Sequence, residues 1–451
     1  MSELPNIIWL IDDDLDLRTM GCYGGLARTP HLDQLAQEGM RFEQTFATAP
    51  SCAPSRASMY TGCYPHTVGM GDHDLPLNEG VNILPSYLRE QGYWSAHFAK
   101  LHLGPRGHDQ FDRNFKKYEE FDAFVRERPR HRPFFLSFGF NEPHRRYDPN
   151  DPKNCGFEKG RIPNPHQPQA VRVPAYLPDV PPVREELAAY YDHITYLDTW
   201  VGRITNWLED EDLAANTLVL FFGDHGPPFP RAKTTLYDSG INVPLIARWP
   251  GVIPAGSVQR GQFSLVDLTP TMLEIAGISP STDLHGQSRW GMLTDPNAAG
   301  CSHVLAQRNF HCIDDHIRCI RTERFKYIRN YYPDEPFGHP EDLVRSESYQ
   351  AMLKLMDAGE LKKEHMLIFR CPRPVEELYD LAVDPQEFSN LVHKPEYQDE
   401  LLALRKRLDS WIAKTNDLDP GIRMRNRIDL RTGEAYYTYP PVPRTKERNR
   451  T

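Results

Sequence analysis

Ser51-Cys52-Ala53-Pro54-Ser55-Arg56-Ala57-Ser58-Met59-Tyr60-Thr61-Gly62 holds the chemistry of this chain most densely. A cysteine just ahead of a proline and an arginine suits the start of a helix, where free N–H groups and the positive dipole end favour an anion. The alternative for an isolated cysteine is a small buried hydrophobe at a helix cap. Working outward, Pro5-Asn6-Ile7-Ile8-Trp9-Leu10-Ile11 is a continuous apolar run ending in Asp12, Asp13 and Asp14. It reads as a buried parallel strand that delivers acids at its carboxyl end, where ligand sites of α/β sheets lie. Residues 29–36 start a helix, 84–91 form another, and 94–99 form a strand. Phe134-Phe135-Leu136-Ser137-Phe138 is a core strand leading into Asn141-Glu142-Pro143-His144. Residues 185–208 have helical periodicity, with Leu187, Tyr190, Tyr191, Ile194, Leu197 and Val201 on one face. Thr217-Leu218-Val219-Leu220-Phe221-Phe222 then closes on Gly223-Asp224-His225-Gly226. Four strands therefore end in titratable clusters.

At 451 residues, with 39% hydrophobic and 25% charged side chains, the chain has the make-up of a globular protein large enough for two parts. A net charge of −10 argues against a nucleic-acid or anionic-membrane surface, so an anionic substrate needs a local basic pocket. No apolar stretch is long enough to span a bilayer. Eight cysteines without framework spacing fit a reducing compartment. With no cationic region or cleavage site before the first strand, a cytoplasmic location is expected for the chain as given, and a periplasmic origin if it has been trimmed. Many of the 40 prolines fall in connecting segments, notably 161–182, an ordered excursion able to wall a cleft. The pattern changes near residue 300. Residues 317–330 and 377–381 read as strands of a small antiparallel sheet, with helices at 349–356 and 400–415. The expected division is 1–300 catalytic, 301–415 a C-terminal α+β subdomain, and 416–451 a basic, tyrosine-rich tail serving as surface chain or oligomerisation arm.

Cys-x-Pro-Ser-Arg followed by Thr61-Gly62 resembles the maturation signature of the type I sulfatases, members of the alkaline-phosphatase-like superfamily. The resemblance covers residues 5–250 strongly. It extends weakly over 317–391, where Glu377-Leu378-Tyr379-Asp380-Leu381 is similar to the C-terminal part of the family. It implies an α/β fold with a large mixed, mainly parallel sheet flanked by helices and a smaller C-terminal antiparallel sheet. It also implies that Cys52 is oxidised to formylglycine by a maturation enzyme, and that the hydrated aldehyde attacks sulfur and then expels sulfate.

Hard-cation binding needs several carboxylates gathered from distant parts of the chain. Asp13 and Asp14 after the first strand, and Asp224 with His225 after the later one, are placed for it. Asp12 competes for the first position, but counting from Pro5-Asn6 and from Gly21-Cys22-Tyr23-Gly24 aligns the family's pair with Asp13 and Asp14. Cys52 completes the ligand set. Carboxylate-rich ligation favours calcium or magnesium over zinc, and the resemblance implies one calcium ion. Arg56 offers a permanent charge for the diol and the carboxylates. Ala99-Lys100-Leu101-His102-Leu103-Gly104 resembles the family's Gly-Lys-x-His-x-Gly, and in a strand Lys100 and His102 point to one side. By resemblance, Lys100 contacts the diol, His102 takes the proton from its second hydroxyl, and His144 and Lys233 stabilise the leaving group.

Gly226-Pro227-Pro228-Phe229-Pro230 and Val173-Pro174-Ala175-Tyr176-Leu177-Pro178-Asp179 resemble bacterial relatives of the heparan N-sulfatases. This implies a sulfated saccharide or small molecule, O- or N-sulfated, with aryl sulfates as surrogates. Asp72, His73, Arg145, Arg146, Arg308 and His311 are the pocket candidates. The rivals are a phosphonate monoester hydrolase or phosphodiesterase of the same superfamily, and an unmatured carbohydrate-binding homologue without activity.

Overall fold

The computed structural model describes residues 4–73, 75–146, 156–279, 283–417, 426–434 and 436. Its centre is β1 (Asn6–Asp12), buried at all seven positions. Alternate residues serve opposite faces. Ile7, Trp9 and Ile11 join one core cluster, where Trp9 packs its ring against Tyr60, Phe135 and Phe222. Ile8 and Leu10 join the other, beneath the long helix Pro181–Asp210. Burial on both faces is why the run is continuously apolar.

Seven more strands complete this sheet: β2 (Met40–Phe46), β3 (Trp94–Ala99), β4 (Arg113–Phe115), β5 (Phe134–Gly139), β6 (Thr217–Gly223), β7 (Asn242–Arg248) and β8 (Ser257–Ser264). The order is β4-β3-β5-β1-β6-β7-β2-β8. β7 runs antiparallel to both neighbours, and every other pairing is parallel. Because β3, β5, β1 and β6 are parallel neighbours, their carboxyl ends share one edge. Ala99 is level with Gly139, Gly139 with Ile11, and Asp12 with Gly223. The four titratable clusters read from the sequence are thereby brought together.

A second sheet, β12-β11-β10-β9, is antiparallel: β9 (Val304–Arg308), β10 (Ile317–Arg321), β11 (Phe325–Asn330) and β12 (Glu376–Asp380). Helix Gln398–Lys414 covers it, packing Leu401, Leu404, Leu408 and Trp411 with Ile320, Tyr327 and Leu378. The expected 317–330 segment is a hairpin of two strands. Of the 416–451 tail, residues 418–425, 435 and 437–451 lie outside the described residues. Its described part packs on its own chain: Arg427 N–H donates to Cys312 O, and Ile428 enters the core. Among the described residues no helix is long and apolar enough to cross a membrane.

Candidate active site

Cys52 opens the helix Cys52–Thr61, and all ten residues are buried. Pro54 falls in the first turn, where a missing N–H forfeits no helical bond. Gly62 ends the helix in the left-handed conformation (φ 70°) and donates to Ser58 O. Cys52 and Arg56, four residues apart, share the face turned to the sheet edge. Arg56 knits that edge together. Its Nε donates to Asp224 Oδ2 (2.8 Å), Nη1 to Lys100 O (2.6 Å) and Nη2 to Asp12 O (3.1 Å).

Asp13 ion-pairs with Lys100. Asp14, held at φ 75°, places Oδ2 2.8 Å from Lys233 Nζ and Oδ1 3.0 Å from His225 Nε2. Cys52 Sγ lies 3.2 Å from His225 Nε2 and 3.6 Å from Lys100 Nζ. Asp13, Cys52, Asp224 and His225 each present a ligand atom within 4.8 Å of the others, as do Asp14, Cys52 and His144. Asp12 is in neither group. Two observations fit a cation here. Asp13 Oδ1 and Asp14 Oδ1, both on residues of these groups, are buried without a hydrogen-bond donor of good geometry. His225 Nδ1 lies 2.9 Å from Gly226 O, so Nδ1 carries a hydrogen. Its Nε2 then meets a carboxylate oxygen and a sulfur, a meeting of electron-rich atoms that a proton or a metal ion must bridge.

The electrostatics follow from burial and crowding. Burial, then Asp224 and Asp13, push the Asp12 carboxyl well up. Burial raises Asp224 to about 6 against the pull of His225 and Arg56. Burial also opposes charge on His225, yet Asp224, Cys52 and Asp14 outweigh it and lift the imidazole to about 10. At Cys52, Lys100, Lys233 and His225 overcome burial and hold the thiol well below its usual range. Burial takes His102 down to about 4.

Lys100 and His102 reach the site by a route strand alternation does not describe. β3 stops at Ala99, which is itself left-handed (φ 55°), as is His102 (φ 63°). The expectation that both residues lie in a strand is corrected. A double kink aims them, and the glycine expected at position 99 would adopt that φ without strain. His144 follows β5, with Nδ1 2.6 Å from Arg145 O and Nε2 3.7 Å from Asp14 Oδ2.

Asp13, Cys52, Lys100, His102, His144 and Lys233 line one cavity of 620 Å³. Arg56, Asp14, Asp224 and His225 are buried at the sheet edge beside it. Of the six pocket candidates, His73, His311 and Arg146 line the cavity. Arg145 lines it too, but its buried guanidinium pairs with Glu186, donates to Pro228 O and sits against Phe157 and Phe229. Arg308 is buried against Asp315 at 3.0 Å, and Asp72 is buried and accepts from Phe310 N–H. Arg308 and Asp72 are not among the cavity's lining residues, whereas Arg145 lines it with its charge already paired. Sequence reasoning missed Asp342, a buried acid on this cavity whose carboxyl is held low by Lys233, His144 and Arg145 against burial. No motif surrounds it. Arg161, paired with Glu142 at 2.8 Å, comes from the proline-rich excursion expected to wall the cleft.

A family model described as Sulfatase matches residues 5–126 and 116–278, and one described as N-sulphoglucosamine sulphohydrolase, C-terminal, matches 223–343. An ulvan-active sulfatase of Formosa agariphila is 34% identical over 461 aligned residues, covering 92% of this chain and 76% of that protein. The N-sulphoglucosamine sulphohydrolase of Homo sapiens is 30% identical, covering 91% of this chain and 90% of its own. A solved structure described as complexed with its substrate D-glucosamine-2-N,6-O-disulfate has a TM-score of 0.70 at 21% identity, covering 93% of this chain and 99% of that one. A 2-O GAG sulfatase has a TM-score of 0.69 at 22% identity, covering 92% and 93%. The mixed eight-stranded sheet, the small antiparallel sheet and these matches agree: the chain belongs to the sulfatase family.

Proposed function

We propose that this sulfuric ester hydrolase removes sulfate from a sulfated saccharide, using a formylglycine at position 52 and a divalent ion, calcium, at the carboxylate cluster. One observation carries the reading. Cys52, two lysines, two histidines and Asp13 line a single cavity at the carboxyl edge of the sheet, with Arg56, Asp14, Asp224 and His225 buried behind them. At 620 Å³ the cavity is in the usual range for a small-molecule site, roughly 300–1,000 Å³.

When present, the hydrated aldehyde supplies the nucleophilic hydroxyl and a second one for release, and the divalent ion supplies Lewis acidity. Asp13, Asp14, Asp224 and His225 would hold the ion, with position 52 completing the set. Lys100 and Lys233 hold positive charge against the developing sulfuryl oxygens. Arg56 fixes Asp224 so that the carboxylates do not swing into the path of the sulfate. His144 Nε2 gives a proton to the leaving oxygen or nitrogen. His102, whose burial favours the neutral imidazole, accepts the proton of the second hydroxyl as sulfate departs.

The saccharide reading is supported by relatives named for ulvan, N-sulfoglucosamine and N-acetylglucosamine-6-sulfate chemistry. Protein of verified oxidation state at Cys52, assayed on N-, 2-O- and 6-O-sulfated glucosamine saccharides, should release sulfate from at least one. Aryl sulfate should be turned over well ahead of an aryl phosphate diester. Preference for the diester, or for aryl phosphonate, would replace this reading with the phosphodiesterase one.

A further inference from the structure

The sulfur of Cys52 belongs to a second ligand group, one in which the sulfate-ester mechanism uses His102 as a base and calls on neither histidine as a metal ligand. One ring nitrogen each of His73 and His102 lies with Cys52 Sγ in a set whose members are all within 4.8 Å of one another. The His73 and His102 rings meet edge to face, 4.9 Å apart at 86°. His311 stacks flat on His73 at 3.9 Å and fixes its plane. The Nδ1 atoms of His102 and His311 are buried without a hydrogen-bond partner. No carboxylate belongs to this set. The carboxylates converge on the other ligand groups that share the sulfur.

We propose that the unoxidised, cysteine form of this protein binds one zinc ion through Cys52, His73 and His102, with the fourth position open to the cavity. A thiolate with two imidazoles is the ligand softness zinc selects, whereas the oxygen-rich set suits calcium. Zn–S bonds of about 2.3 Å and Zn–N bonds of about 2.0–2.1 Å put tetrahedral ligand atoms about 3.4–3.6 Å apart. With the ligand atoms already within 4.8 Å of one another, the three side chains need close by at most about 1.4 Å, within reach of small χ rotations. Binding takes the thiol proton, if one is present, to solvent and forms the Zn–S bond. Oxidation of Cys52 to formylglycine removes the sulfur and leaves two imidazoles, so the zinc site and the mature nucleophile exclude one another.

The test uses full-length protein made without a maturation enzyme, its free cysteine verified by mass, in buffer saturated with Ca²⁺. Cobalt(II) is the probe. The expected result is one Co²⁺ per chain with a thiolate-to-cobalt absorption band in the near ultraviolet, bleached by one equivalent of Zn²⁺. His73→Ala and His102→Ala, each checked for an unchanged melting profile, should weaken cobalt binding at least tenfold. His73→Gln serves should the alanine variant misfold. Asp224→Asn should keep the band, and matured protein should lack it. The proposal is overturned by a cysteine form with no thiolate band. It is equally overturned by a band that survives both histidine changes but is lost in Asp224→Asn, since the ion would then sit among the carboxylates. Because sulfatase turnover is read on the matured form, either outcome leaves the proposed hydrolase activity to its own assay.

Discussion

Changing His144 to glutamine should separate substrates by their leaving groups. His144 Nδ1 faces the carbonyl of Arg145 at 2.6 Å, which commits that nitrogen's hydrogen. Nε2 is thereby the nitrogen turned toward the site, 3.7 Å from Asp14 Oδ2, on a side chain 24% exposed. A glutamine can reach the same space but cannot act as an acid at neutral pH. Positioned general acids contribute roughly 10²–10⁴-fold, about 3–5 kcal/mol of barrier. A sugar alkoxide or amine needs that proton in full, so kcat/KM on a saccharide sulfate should fall by roughly 10²–10⁴. A nitrophenolate leaves almost unaided, so p-nitrophenyl sulfate should lose less than about tenfold. Both rates are measured on preparations matched to wild type in formylglycine content. Equal losses on the two substrates would show that His144 binds or positions sulfate and does not protonate the leaving group.

Arg145→Ala should cost about 3–5 kcal/mol in urea unfolding, because it leaves the buried Glu186 carboxylate held by Ser348 but without a counter-charge, and Pro228 O without its donor. A raised KM with unchanged stability would instead make Arg145 a substrate ligand. Asp198 caps the helix Pro30–Glu38 by accepting the N–H groups of Leu32 (2.8 Å) and His31 (3.2 Å), and burial pushes its carboxyl up to about 7. From about pH 4 to pH 7 the native chain keeps a proton the unfolded chain has lost, so this group's contribution to stability declines as pH rises. Asp198→Asn should flatten the stability–pH slope across that window, and an unchanged slope would refute the assignment. Chelation should lower the thermal midpoint by leaving Asp13, Asp14 and Asp224 crowded. Calcium should restore it better than magnesium, because a carboxylate-rich set of flexible geometry suits the larger ion. Equal rescue by magnesium would overturn the calcium reading.

The central strands were legible because burial on both faces leaves an unbroken apolar run, as in β1, β5 and β6. β2 was not. Its Met-Arg-Phe-Glu-Gln-Thr-Phe carries charges at half-buried positions, and the pairing shifts register near Phe42. Nothing local in β7 announces that it inserts antiparallel between β6 and β2. The catalytic phrases could be read one by one, but the alternation used to align Lys100 with His102 failed where Ala99 turns left-handed. Of the two arginines named as pocket candidates, Arg145 lines the cavity with its charge already paired, and Arg308 lies buried against Asp315 away from the lining. Arg145's partner Glu186 is far along the chain, so the pairing that occupies its charge could not be read locally. Asp342 reaches the cavity from beyond the first small-sheet strands, through tertiary packing alone.

The claim beneath all of this is that position 52 works as an aldehyde hydrate. The most direct measurement is the mass of the peptide containing Cys52, taken on graded preparations alongside their turnover. The account predicts a peptide about 18 Da lighter than the cysteine form, activity proportional to the lighter fraction, and none in Cys52→Ala. Full activity from protein carrying only the thiol, or near wild-type rates in Cys52→Ala, would contradict it.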